Sequence, residues 1–253
     1  MLPRWRTVRR IWVTTGSIAG AIFIGWSLLA YRAQDVAIAA LQSDARVTVT
    51  DESTYWRFRP PQPSAAGLIF FPGTPVNPAA YAPLVRAVAA AGYTVLLVRL
   101  PRRGVLGGAD GPEVLARARQ AAADTREVSR WVVAGHSRGG LVASRLAHDT
   151  FPALAGLVLI GTSHPRDFSL AALRVPVTRV FGSRDTVADE WKLDRTRSNL
   201  PSTTRMIRID GGNHSQFGYY GFQPGDWPAT ISRDAQQAIT RQALIDALAS
   251  AAR

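Results

Sequence analysis

Ser137, Asp185 and His214 are the three residues of this 253-residue chain whose types and order could do chemistry together. A serine hydroxyl is a poor nucleophile at its own pKa. It needs a base within hydrogen-bond reach, and the base needs an acid to orient it. Ser137 is the centre of Gly135-His136-Ser137-Arg138-Gly139, which follows the apolar run Trp131-Val132-Val133-Ala134 and precedes a helix-like stretch at 140–148. A G-x-S-x-G between strand and helix holds its serine on a sharp turn, with the hydroxyl out of the chain path, and the flanking glycines leave room for that turn. The pentapeptide alone is a weak signal. It gains weight from two later residues: Asp185 after Phe181-Gly182-Ser183-Arg184, and His214 at the end of Asp210-Gly211-Gly212-Asn213-His214. Asp185 is preferred as the acid over Asp189 and Asp167. His214 is preferred as the base over His148 and His164, and over His136, which is expected to point away from the serine and pack under the turn. The oxyanion needs preorganised N–H donors. One is the backbone N–H of Arg138. The other comes from Phe71-Pro72-Gly73-Thr74-Pro75, where the prolines have no N–H, leaving Gly73 or Thr74, with Thr74 preferred.

The elements that must position these groups alternate. Strands are expected at 68–71, 94–100, 131–134, 154–160, 177–181 and 206–209, with helices at 78–91, 113–126, 140–148 and 233–252 between and after them. Residues 46–50 and 55–59 alternate apolar with polar and read as two antiparallel edge strands. This pattern is an α/β fold with a mostly parallel central sheet and helices on both faces, and the three residues all fall at carboxyl ends of strands, where such sheets place their sites. Residues 161–175 are too few for a large cap domain, so the site is expected to be open. Its walls should come from 102–111 and from the aromatic segment after His214. Phe217, Tyr220 and Phe222 are read there as substrate-binding residues at a pocket rim.

The chain has no cysteine, which excludes disulfides, thiolate metal sites and a cysteine nucleophile. No His/Asp/Glu cluster has metal-ligand spacing and no glycine-rich phosphate loop is present, so no metal and no cofactor are expected. The formal charge is +12, of which Arg4, Arg6, Arg9, Arg10 and Arg32 supply five before the first acidic residue, Asp35. The remaining arginines are scattered without interleaved aromatics, so nucleic-acid binding is not expected. Residues 11–31 carry no charge and are nearly all apolar, about the length of a membrane-spanning helix, with aromatics near both ends. The chain is therefore read as residues 1–10, a basic cytoplasmic N-terminus; 11–31, a single-pass transmembrane anchor; 32–45, a linker; and 46–253, the folded domain outside the cytoplasm. The alternative is secretion after signal cleavage, against which the poor cleavage site argues.

With these residues in hand, the chain resembles the α/β-hydrolase superfamily, most of all the bacterial, often membrane-anchored α/β-hydrolase fold-5 proteins akin to dienelactone hydrolases. The matching stretches are Phe71-Pro72-Gly73, residues 76–81, residues 135–140, Gly182-Ser183-Arg184-Asp185, residues 211–218, Gly225-Asp226 and residues 229–233. The resemblance implies Ser137, Asp185 and His214 as a catalytic triad. One departure is Arg138, where such proteins commonly have leucine. Another is the absence of the cysteine that dienelactone hydrolases use, so their substrate does not transfer. The expected activity is a serine hydrolase, carboxylesterase-like, cleaving an ester-type bond of a small acyl substrate through an acyl-enzyme on Ser137. The alternatives are a membrane-tethered scaffold without catalysis, or an acyltransferase.

Overall fold

A computed structural model describes residues 3–149 and 151–253. The chain runs α1 (Pro3–Ala30), α2 (Asp35–Ala39), β1 (Thr48–Asp51), β2 (Tyr55–Arg59), β3 (Ala66–Phe71), α3 (Ala82–Ala89), β4 (Thr94–Val98), α4 (Pro112–Ala123), β5 (Arg130–His136), α5 (Arg138–His148), β6 (Leu154–Ile160), β7 (Val177–Gly182), α6 (Glu190–Arg195), β8 (Arg205–Ile209) and α7 (Arg233–Ala251). The strands form one eight-stranded sheet in the order β1-β2-β4-β3-β5-β6-β7-β8. β1 pairs antiparallel with β2 and β2 with β4, while every pair from β4 to β8 is parallel. The two edge strands and the parallel core read from the sequence are thus both present.

The period of two along the strands builds the two cores. Leu68 and Phe70 enter one apolar cluster with residues of α3 and α7, while Ile69 and Phe71 enter the other with residues of α4 and α5. Both faces of the sheet are therefore sealed by helices, and the polar groups of the strand ends are left to gather along one rim. The helix expected at 78–91 is split into a 3₁₀ turn, Pro78–Tyr81, and α3. Asn77 caps the turn through its side chain, which accepts from the N–H of Ala79 at 3.0 Å. Ser232 caps α7 by accepting from Ala235 N–H. Between β6 and β7 there is no helix, so no large cap is inserted there.

Two readings of the N-terminal region change. Among the described residues no helix is long and apolar enough to cross a membrane, so the spanning anchor expected at 11–31 is not seen. That stretch is part of α1, whose flank exposes Ile11, Trp12, Ile18, Ile22, Phe23 and Leu29. Residues 32–45, expected to be a linker, are instead built into the domain. Ala33 and Ala37 are buried in the same cluster as Leu68 and Phe70. Gln34 N–H donates to Tyr219 O at 2.9 Å and Asn77 N–H to Tyr31 O at 2.9 Å. Small alanines at the helical spacing of α2 give it an inner face that hydropathy alone does not distinguish from spacer.

Candidate active site

The turn after β5 is built as its glycines require. Ser137 has φ 53° and ψ −121°, a conformation that costs a non-glycine residue energy and is held only by its surroundings. Its N–H donates to Ile160 O at 2.9 Å, pinning the turn to the end of β6. A side chain at Gly135 would be driven into the Gly139 carbonyl, and one at Gly139 into the carbonyl oxygens of Phe71 and Pro72. The start of α5 therefore lies directly on the end of β3, bringing the turn 71–75 beside Ser137.

His214 and Asp185 meet as expected. His214 Nδ1 and Asp185 Oδ2 are 2.8 Å apart, with both side chains essentially excluded from solvent. The other carboxylate oxygen, Oδ1, accepts from the N–H groups of Val187 (3.0 Å) and Ala188 (2.7 Å), so Asp185 is fixed on both sides. The competing acids are elsewhere: Asp189 caps α6 by accepting from Lys192 N–H, and Asp167 is exposed. His214 Nε2 is buried and has no hydrogen-bond partner, so the bond to the Ser137 hydroxyl is not formed in this state. Active-site hydrogen bonds are often long before substrate binds and tighten in the complex.

His136 departs from its expected place. It is buried as expected, but its ring does not turn away from the rim. The ring centroid lies 4.5 Å from that of His214 and 5.3 Å from that of Phe217. Its Nδ1 is 2.7 Å from the Tyr81 hydroxyl oxygen, which also accepts from Gly73 N–H at 3.0 Å. Burial pushes the Tyr81 phenol upward, keeping it neutral. The Tyr81 hydroxyl thus ties His136 Nδ1 and Gly73 N–H together. Burial, and then the charge His214 would carry, hold His136 well below 6.5, so it stays neutral.

Of the two oxyanion candidates of the 71–75 turn, Gly73 N–H is already donated to Tyr81. Arg138 N–H is the first unpaired donor of α5. The Arg138 guanidinium turns aside, donating to Asp110 at 2.6 Å, and Asp110 also pairs with Arg145 at 3.2 Å. Tyr81→Phe should leave Gly73 N–H buried and unpaired, at a cost of about 1–3 kcal/mol, and let the turn relax. We expect kcat to fall roughly 10-fold or more with KM little changed, read from steady-state kinetics beside a denaturation curve.

The aromatic segment after His214 is placed differently from the sequence reading. Phe217 and Tyr220 are fully buried in the main core, so they pack around His214 and do not form an open rim. Of the three candidates only Phe222 is exposed. Two residues given no role by the sequence hold the histidine loop. Asp226 accepts from His214 N–H (3.2 Å), Ser215 N–H (2.8 Å) and the Ser215 hydroxyl (2.8 Å). Gln236 of α7 accepts from Asn213 N–H at 3.0 Å and donates to Asn213 O at 2.7 Å. Gly225-Asp226 stood within a matching stretch of the sequence, but a lone aspartate in a loop gives no sign of what it accepts.

His164, in the loop after β6, is held down to about 4 by burial and then by the charges of Arg166 and Arg138. The unfolded chain would bind a proton near 6.5 that the fold refuses. The stability this group contributes above pH 6.5 is thus lost as pH falls toward 4. The thermal midpoint should drop between pH 7 and pH 5, and His164→Gln should flatten that slope.

The sequence model of the alpha/beta hydrolase family matches residues 67–238. No curated protein matches the chain in sequence. Among solved structures, an alpha-beta serine hydrolase homologue from Coxiella burnetii is 13% identical, with a TM-score of 0.55 over 82% of this chain and 99% of that one. A thermophilic esterase from Thermogutta terrifontis is 13% identical, with a TM-score of 0.55 over 82% of this chain and 100% of that one. A membrane phospholipase A, described as a bacterial virulence factor, is 13% identical, with a TM-score of 0.56 over 95% of this chain and 99% of that one. At these identities the likeness is one of fold.

Proposed function

This chain belongs to the alpha/beta hydrolase family, and on that premise we propose that it is a serine hydrolase cleaving an ester-type acyl bond. The observation that carries the reading is the buried pair of His214 and Asp185, 2.8 Å apart, at the rim that also holds the strained turn of Ser137. Asp185 accepts from Nδ1–H and so fixes the tautomer that leaves Nε2 to act as base. Ser137 Oγ attacks the carbonyl carbon while its proton passes to His214 Nε2. The resulting oxyanion takes hydrogen bonds from the N–H groups of Thr74 and Arg138. Collapse expels the alcohol, which takes the proton back from His214, and leaves an acyl-enzyme on Ser137. Water, deprotonated by His214, repeats the sequence and releases the acid. The test is a fluorophosphonate probe on folded protein: covalent labelling at Ser137 and turnover of an activated ester are expected. Folded protein that stays unlabelled would overturn the reading.

We propose in addition that α1 holds the domain at a bacterial membrane surface. The support is the exposed apolar flank of α1 behind a cluster of arginines. The fold likeness to the membrane phospholipase A covers 95% of this chain, which is enough to reach into α1. Co-flotation of the full chain with anionic liposomes tests attachment, and a chain that stays in the lipid-free fraction counts against it.

A further inference from the structure

We propose that the apolar pocket between the end of α1 and the loop at 101–105 receives the acyl chain of the substrate, which makes the substrates esters of medium- to long-chain acids. This rests on the reading of Ser137 as nucleophile and deepens it. The pocket has a volume of about 600 Å³ and is lined by Phe23, Ile24 and Ser27 of α1, with Tyr31, Pro75 and Val105. That volume lies in the range of small-molecule sites, roughly 300–1,000 Å³. It borders the 71–75 turn, because Pro75 of its lining follows Thr74 directly.

Polarity changes along the path in the way an ester needs. At the Thr74 end stand an N–H for the developing oxyanion and the Thr74 hydroxyl, whose oxygen is buried without a hydrogen-bond partner. One residue further, the walls are aliphatic and aromatic. Arg102 and Arg103 close the outer edge with exposed side chains, where long stems cover apolar surface and the charged ends stay in water. Arg102 donates to Leu106 O at 3.1 Å.

Both walls are held in place. The end of α1 is tied to the domain by Gly221 N–H to Ala30 O at 2.7 Å and by Asn77 N–H to Tyr31 O at 2.9 Å. The opposite wall is strained: Arg102, Arg103 and Leu106 have φ of 49°, 53° and 49°, a region that side-chain-bearing residues seldom enter. Gly104, at φ 80°, lies so close to the Thr74 side chain that a Cβ there would strike it. Strain of this kind persists where the surroundings impose it and gathers at ligand-binding segments. Here it sets Val105 across from α1 and locks the loop against the oxyanion turn. Phe23 and Ile24 stay about 60% exposed, so the pocket opens along the apolar flank of α1, the side from which a lipid-like chain would enter.

The test compares kcat/KM of the full chain in nanodiscs for p-nitrophenyl esters from acetate to palmitate. The wild type should gain roughly 2–4-fold per methylene beyond butyrate until the pocket is filled. Ser27→Trp, which fills the pocket from α1, should lower the decanoate-to-acetate ratio at least 10-fold. A flat chain-length profile, or an unchanged ratio in Ser27→Trp, would overturn the proposal while leaving Ser137 labelling intact. If instead Ser137 proves unreactive at every chain length, laurate binding to Ser137→Ala, followed by tryptophan fluorescence, judges the pocket alone. Saturable binding that Ser27→Trp removes supports it, and no binding overturns it.

Discussion

Ser137→Ala is expected to leave about 10⁻⁴ or less of wild-type turnover on an activated ester, and adding His214→Ala should cost little more. In the proposed chemistry the three side chains act as one relay, so losing the nucleophile or the base removes nearly everything the relay supplies. What survives comes from oxyanion donors and binding, roughly 10³-fold over water in related chemistry. The geometry here supports the same non-additivity. His214 Nε2 has no hydrogen-bond partner in the fold, and the Asp185 carboxylate serves the ring on one side and the Val187 and Ala188 amides on the other. Removing the Ser137 hydroxyl breaks no hydrogen bond of the fold, so circular dichroism and thermal midpoint should stay close to wild type. Turnover by Ser137→Ala within tenfold of wild type would refute the proposed chemistry.

Gly139→Ala should be among the most destructive single methyls in the chain, costing about 4 kcal/mol or more, or preventing folding outright. The added Cβ would meet backbone oxygens of Phe71 and Pro72, and neither can yield cheaply. Phe71 is the last residue of β3, which pairs with β4 on one side and β5 on the other. Any retreat would also pull the 71–75 turn away from Ser137. For a domain of this size a loss near 4 kcal/mol corresponds to a midpoint drop on the order of 10 °C. Gly16→Ala, on α1 where nothing lies within 4 Å, should shift the midpoint little by comparison, which shows that glycine loss as such is not the cause. A Gly139→Ala protein with wild-type midpoint and activity would mean that the elbow packs differently from this description.

Much of the architecture could be read from local signals. The apolar runs of β3 to β6 are buried on both faces, and such runs register in sequence because no alternation dilutes them. The pairing of His214 with Asp185 was legible for a different reason: each follows a strand, and strand ends converge on one rim. The misreadings share a cause as well. Phe217 and Tyr220 read as a rim in the sequence because aromatics after a candidate base look available, and whether a ring is covered depends on what folds over it. For Tyr220 the cover includes Tyr31, whose ring centroid is 6.2 Å away although it lies far off in sequence. Arg179 shows the same limit. It sits within β7, fully buried, its guanidinium donating to the carbonyls of His164 and Leu193, and no local pattern announces a charged residue there.

The primary structure, unaided, determined the scaffold and pointed to the groups that could react on it, because a nucleophile turn and strand periodicity are short-range properties written in neighbouring residues. That Gly73 N–H is taken by Tyr81, that His136 leans on His214, that Asp226 and Gln236 brace the histidine loop, and that the N-terminal helix walls a pocket were decided only by the folded chain. Each of those depends on contacts between segments distant in sequence, and burial and hydrogen-bond competition exist only once such segments meet.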